Sequence, residues 1–297
     1  VIATFSNLYP NLSSMPHAST KRSTFAKPQP NQSRMLYWIQ ATGRAWLVPS
    51  VVGLAIAWGG NISARAESPA TAPPELRETL TQIDAAASQG DVEAVMEFYS
   101  PEFTHADGLT YETMQQALTA FWERYPDLTY QTALTSWEPD GDAIVAETVT
   151  TITGTQEAEG RTFKLDSTIA SRQRFVGQQM VSQEILSERS QVASGENPPT
   201  VTVNLPEQVT TGQEYPFDAI VAEPLGDRVL LGTALEEPVR PEGYLNPTTL
   251  DLTLLPAGGL FKVGQASATS ESRWVSAIII REDGITEVTQ RLRVVGQ

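Results

Sequence analysis

The chain has 297 residues, a net charge of −15 and no cysteine. Disulfides, thiolate metal centres and cysteine nucleophiles are therefore excluded. The acidity also argues against nucleic acid and anionic membrane surfaces as partners, because both repel a negative chain.

The charge is unevenly spread. Residues 1–66 carry six Lys/Arg and no acidic side chain, and the first acid is Glu67. Downstream, 14 basic residues stand against 35 acidic ones, a net −21. Residues 1–34 are rich in Ser, Thr, Asn and Pro, as expected of an over-extended start or an organellar transit segment. Residues 35–66 read as an export signal. Arg44 is the positive flank, Ala45 to Trp58 the apolar stretch, and Ala64-Arg65-Ala66 a small-x-small cleavage site before Glu67. Fourteen residues make roughly 21 Å of helix, short of the ~30 Å hydrocarbon core. The expectation is cleavage and export to a periplasm, an extracellular space or a thylakoid lumen, with no membrane attachment afterwards.

After a short linker at 67–74, helices come first. Pro73-Pro74 opens one in which Leu76, Leu80, Ile83 and Ala87 make a single apolar stripe. Gly90-Asp91 ends it, and Asp91 is placed to cap a second short helix carrying Val92, Val95 and Met96. A third helix starts after Thr110, repeats the spacing at Met114, Leu118, Phe121 and Tyr125, and stops at Pro126. Strands follow at 128–137, 144–153, 161–175 and 180–186. The first pair is joined by Glu138-Pro139-Asp140-Gly141-Asp142, and the loop at 154–160 precedes the third. The pattern predicts an α+β domain over 75–193. Residues 194–199 read as a linker, and 200–297 as about seven short strands with period-two alternation, an all-β sandwich.

The order of helix, Gly90-Asp91, short helix, Phe98-Tyr99-Ser100-Pro101-Glu102-Phe103, third helix ending at Arg124-Tyr125-Pro126, then hairpins, resembles the nuclear transport factor 2-like superfamily, which includes SnoaL-like proteins and ketosteroid isomerases. The resemblance implies an α+β cone, three helices packed on a strongly curved antiparallel sheet with a pocket at its open end. The C-terminal part looks like an immunoglobulin-like sandwich without its disulfide. The superfamily also implies homodimerisation through the sheet of the cone.

Candidate site residues follow. His105 is the one histidine downstream of the cleavage site, and with Asp107 it forms a candidate acid/base pair. By the resemblance, Asp107 falls where ketosteroid isomerases carry their proton-moving aspartate. The oxyanion donors that this chemistry requires fall on Ile83 and Ser171. Asp84, Tyr99, Phe103, Trp122 and Trp137 are candidates for the pocket lining, and Arg172 and Arg174 for meeting an anionic ligand. No metal-ligand spacing, serine nucleophile elbow or phosphate-cradling loop is present, and no cofactor is expected.

Two functions fit. One is an exported, non-catalytic protein that binds an apolar small molecule or a protein partner. The other is a SnoaL-like enzyme acting by acid/base chemistry on a hydrophobic carbonyl. A pocket into which both His105 and Asp107 point favours the enzyme.

Overall fold

The computed structural model describes residues 66–158, 160–226, 228–245, 251–255 and 258–296. Residues 35–65 of the expected export segment, Ala64 included, lie outside them. At their start, Glu67 pairs as a single bridge with Trp137, its N–H donating to the Trp137 carbonyl at 2.7 Å.

The helices form where the apolar stripes place them. Helix α1 (Pro74–Ser88) begins on a proline, whose missing N–H costs nothing in a first turn, and buries Leu76, Leu80 and Ala87. Asp91 caps α2 (Val92–Met96) by accepting the Ala94 N–H at 3.0 Å. Strand β1 (Tyr99–His105) follows. Thr110 and Thr113 then exchange side-chain and backbone bonds in a capping box that starts α3 (Tyr111–Arg124). Met114, Phe121 and Trp122 turn into the core with Leu76, Leu80 and Phe175. Each such side chain contributes about 1.5–3 kcal/mol by leaving water.

Four long strands form a meander: β2 (Thr129–Asp140), β3 (Ala143–Ala158), β4 (Arg161–Val176) and β5 (Gln179–Gly195). Strand β3 runs past the expected end at Thr153, through Gly154. A Cβ there would lie 2.6 Å from Leu128 Cδ2 and 2.9 Å from the Asp127 carbonyl, so this glycine serves close packing rather than a loop. The C-terminal strands are β6 (Val201–Asn204), β7 (Gln208–Thr210), β8 (Glu214–Val221), β9 (Leu231–Pro238), β10 (Thr253–Leu254), β11 (Gly259–Gln265), β12 (Glu271–Arg281) and β13 (Gly284–Val295). Helix α4 (Pro241–Leu245) interrupts them, in a region where only strands were expected.

The expected α+β cone followed by a separate immunoglobulin-like sandwich is overturned. The described residues are mostly β, about 56% strand against 19% helix, with four α-helices. Ten strands form one sheet, in the order β10-β9-β12-β13-β5-β4-β3-β2, with β1 beside β5 and β7 beside β13. Three more, β11-β8-β6, form a second sheet. The physical reason is the length of β5. Its first part pairs with β1 at Met180, Ser182 and Gln183, and its last part pairs with β13 from Arg189 to Gly195. The backbone ladder therefore runs from the meander into the C-terminal strands without a break.

A bulge in β5 decides which side chains face inward. Ser171 pairs with Ile185 but Ala170 pairs with Ser187, so one extra residue sits between them. One extra residue exchanges the two faces of a strand. Glu188, Ser190, Val192 and Ser194 are all buried as a result. Strands β12 and β13 are covered on both faces. Val275, Ala277, Val288 and Leu292 pack with β6, β8 and β11 in one core, while Trp274 belongs to the core of the helices.

A continuous sheet predicts one cooperative unit. Urea unfolding followed by far-ultraviolet dichroism and by tryptophan fluorescence should give superimposable transitions with a single midpoint. Two separated midpoints would contradict the shared ladder between β5 and β13.

Candidate functional site

A cavity of about 160 Å³ lies between the helices and the sheet. Its walls are mostly apolar: Leu80, Ile83, Leu118, Phe121 and Ile169 are among them. Of the candidates, Asp84, Tyr99, Trp122 and His105 line it, as do Ile83 and Ser171. Asp107, Phe103, Trp137, Arg172 and Arg174 do not. Phe103 is core, edge-on to Tyr99 with ring centroids 4.8 Å apart. Trp137 donates its indole N–H to the Ser68 carbonyl and the Thr71 hydroxyl, both at 3.2 Å. Arg172 bonds Glu147 at 2.6 Å and Arg174 bonds Asp140 at 2.8 Å, both exposed pairs of small energetic weight.

The polar groups at one part of the wall satisfy one another. Asp84 accepts the Thr132 N–H and the Thr132 hydroxyl, each at 2.6 Å. The Thr132 and Thr150 hydroxyls lie 2.9 Å apart, and Trp122 donates to the Tyr130 hydroxyl at 2.9 Å. Ser171 meets Thr148 at 3.1 Å. Burial pushes the Tyr99 phenol up to about 12, so it stays neutral.

Asp107 sits in a tight turn after β1. Gly108 takes φ +86°, and a Cβ there would lie 3.4 Å from Pro241 Cγ, so the turn abuts the start of α4. This places the Asp107 carboxylate against Arg291 of β13. Arg291 Nη1 donates to Oδ1 at 3.0 Å and Nη2 to Oδ2 at 2.9 Å. Tyr244 of α4 adds a third bond, its hydroxyl donating to Oδ2 at 2.6 Å. The Arg291 Nε donates to Glu188 Oε2 at 3.1 Å, and the Trp274 indole donates to the same oxygen at 3.1 Å. The side chains of Arg291, Glu188 and Asp107 are 1%, 3% and 7% exposed. Both halves of the sequence thus meet in one buried ion cluster.

Burial alone would raise the Asp107 carboxyl. The hydrogen bonds and charge of Arg291, with the Tyr244 bond, outweigh it and hold the group below the usual carboxylate range. A carboxylate with both oxygens committed to an arginine is a poor base. His105 Nδ1 lies 3.6 Å from Asp107 Oδ2, but it also accepts the Asp107 backbone N–H at 3.1 Å. An accepting nitrogen carries no proton, so this contact is not an ion pair. Burial lowers the imidazole to about 4, against the opposing pull of the Asp107 charge. The geometry therefore leaves a neutral His105 at the cavity wall and an Asp107 locked away from it.

The residues that complete this arrangement, Glu188, Tyr244, Trp274 and Arg291, carried no motif. Among the described residues no group of His, Asp and Glu is arranged to hold a metal ion.

A family model described as a domain of unknown function (DUF8623) matches residues 196–295. A search of curated proteins returns no match. Among solved structures, Bd1075 of Bdellovibrio bacteriovorus is 14% identical over 37% of this chain and 39% of its own, with TM-score 0.27. An uncharacterized cystatin-fold protein from Novosphingobium aromaticivorans is 16% identical over 38% of this chain and 98% of its own, with TM-score 0.28. A hypothetical protein from Catenulispora acidiphila with a ketosteroid isomerase-like fold, solved with trimethylamine, is 16% identical, covering 40% and 85%, with TM-score 0.28. These are distant likenesses of fold.

Removing one partner from a buried ion cluster leaves an uncompensated charge. Arg291→Met should lower the unfolding free energy by about 3–5 kcal/mol in urea titrations, with Arg291→Lys losing the bidentate geometry and recovering only part. The histidine gives a pH signature. Its folded value is depressed, so its stabilising contribution is full above about pH 6.5. As the pH falls from there toward about 4, stability should drop by on the order of 3 kcal/mol. His105→Phe should flatten this part of the urea-midpoint profile.

Proposed function

We propose that the protein is exported and binds a small, mostly apolar molecule in the cavity between its helices and sheet, without transforming it. One observation carries the reading: the cavity is mostly apolar and each carboxylate at or beside it is tied to protein partners, Asp84 to Thr132, Glu188 to Arg291, and Asp107 to Arg291 and Tyr244. Acid/base chemistry on a carbonyl needs a base that reaches the substrate and donors for the developing oxyanion. Asp107 is bound to Arg291 and Tyr244 instead, and Ile83 and Ser171 supply one apolar side chain and one hydroxyl shared with Thr148.

Size limits the ligand. A cavity near 150 Å³ accepts benzene, whereas sites for drug-sized molecules run from about 300 Å³ upward. At about 160 Å³ the cavity suits a single ring or a short branched chain, not a steroid. Export rests on the acid-free leader and the Ala64-Arg65-Ala66 site.

Native mass spectrometry of the protein from its own source tests both parts. The expected mature chain starts at Glu67 and carries a non-covalent neutral adduct in the mass range of one ring. Leu118→Phe, which fills the cavity from α3, should release that adduct while the protein stays folded. A bare protein in every preparation would contradict the binding reading, and a chain retaining residues 35–66 would contradict cleavage.

A further inference from the structure

The polar groups of the cavity wall are not all satisfied, and the unsatisfied ones lie together. His105 of β1 stands opposite Gln183 of β5, and Gln183 stands opposite Gln173 of β4. All three line the cavity. The outer two are two strand spacings apart, roughly 10 Å at Cα. A group held between side chains of this length is within reach of both.

Gln173 is 7% exposed, and its Oε1 is buried without a hydrogen-bond partner among the described residues. His105 spends Nδ1 on accepting the Asp107 N–H, so the neutral ring keeps its proton on Nε2. That N–H donates to nothing among the described residues. The row thus offers the cavity one acceptor and one donor with no protein partner. Elsewhere in the same cavity Asp84, Thr132, Thr150 and Tyr130 are paired. Buried polar groups in folded proteins are nearly always satisfied, so the exception calls for a partner.

We propose that the row His105–Gln183–Gln173 is the polar end of the ligand site, and that it selects an uncharged group that donates and accepts at once. A hydroxyl or a primary carboxamide on a single-ring apolar body has that chemistry. This deepens the small-molecule reading above and rests on it. A carboxylate would bring a second negative charge up to Glu188, which lines the same cavity. An ammonium only donates, so it would leave the His105 N–H unpaired, while the carboxylates of Asp84 and Glu188 are already committed to Thr132 and Arg291. The row itself stays uncharged through neutral pH, because burial keeps the imidazole from protonating until about 4.

Phenol and toluene, equal in shape and different in one group, test this by NMR titration of the whole protein. In a wholly apolar cavity toluene wins, because phenol gives up its hydration without return. Here phenol should bind the tighter of the two by roughly tenfold, the worth of one to two net hydrogen bonds. Gln173→Leu should reverse the order through a loss of phenol affinity. Should that variant fail to fold, His105→Phe and the comparison in the unmodified protein carry the test. Phenol no tighter than toluene in the unmodified protein overturns the proposal and leaves an apolar pocket, with water completing the row. Shifts with neither ligand overturn the pocket reading, and this proposal with it.

Discussion

The guanidinium of Arg291 lies between two carboxylates, Asp107 from the turn after β1 and Glu188 from β5, almost wholly out of water. Removing such charges from water costs several kcal/mol per ion, and an apolar trio of equal volume often does as well or better. The cluster is therefore better understood as a device for register than as a source of stability. Strand β5 offers one edge to two partners, β1 along its first part and β13 along its last. Asp107 and Arg291 meet at the changeover. A slip of either strand by one residue would carry a charge to the other face of the sheet and leave its partners buried and unpaired. The cost of that error, more than the gain from the native pairing, holds the two halves of the chain in one arrangement.

The same interaction shapes the cavity. By drawing the Asp107 carboxylate toward Tyr244 and Arg291, it removes the group best placed to act as a base. It also fixes the His105 tautomer, because the Asp107 N–H occupies Nδ1 and leaves the proton on Nε2. One turn thus decides which groups face the cavity. A free carboxylate beside a cavity-facing imidazole would make an acid/base pair, whereas a locked one makes the imidazole a neutral donor.

Local pattern carried the elements well. The stripes Leu76–Leu80–Ala87 and Met114–Phe121 are helix faces in the fold, and Asp91 and Thr110 cap the helices that follow them. Those signals are short-range, each decided within two turns of chain. What stayed hidden was long-range. The bulge near Leu186 has no signature in Glu184-Ile185-Leu186-Ser187-Glu188, yet it turns Glu188 inward and lets β5 continue to Gly195. Arg291 reads as a solvent-facing charge in Thr289-Gln290-Arg291-Leu292-Arg293, because alternation alone does not reveal that both faces of β13 are covered. Helix α4, at five residues, is too short to show a period, and it carries the hydroxyl that completes the cluster. The resemblance, drawn over the helices and hairpins of residues 75–190, put both His105 and Asp107 at the pocket, where His105 alone lines it, and described the sheet as ending where the C-terminal strands begin.

A second buried acid on the helix-facing side of β13 shows how differently the fold treats a charge without a partner. Glu287 is 1% exposed, and neither carboxyl oxygen has a hydrogen-bond partner among the described residues. Burial, with the charge of Glu237 adding to it, pushes its carboxyl well above the ordinary value. It is kept as a neutral acid, where Asp107 and Glu188 have the guanidinium beside them. The linkage signs are accordingly opposite. A raised carboxyl favours folding at low pH and opposes it as pH rises through the folded value, whereas Asp107 and His105 oppose folding as pH falls. One strand thus carries both treatments of a buried charge, a carboxyl kept neutral at Glu287 and a guanidinium kept charged between two carboxylates at Arg291.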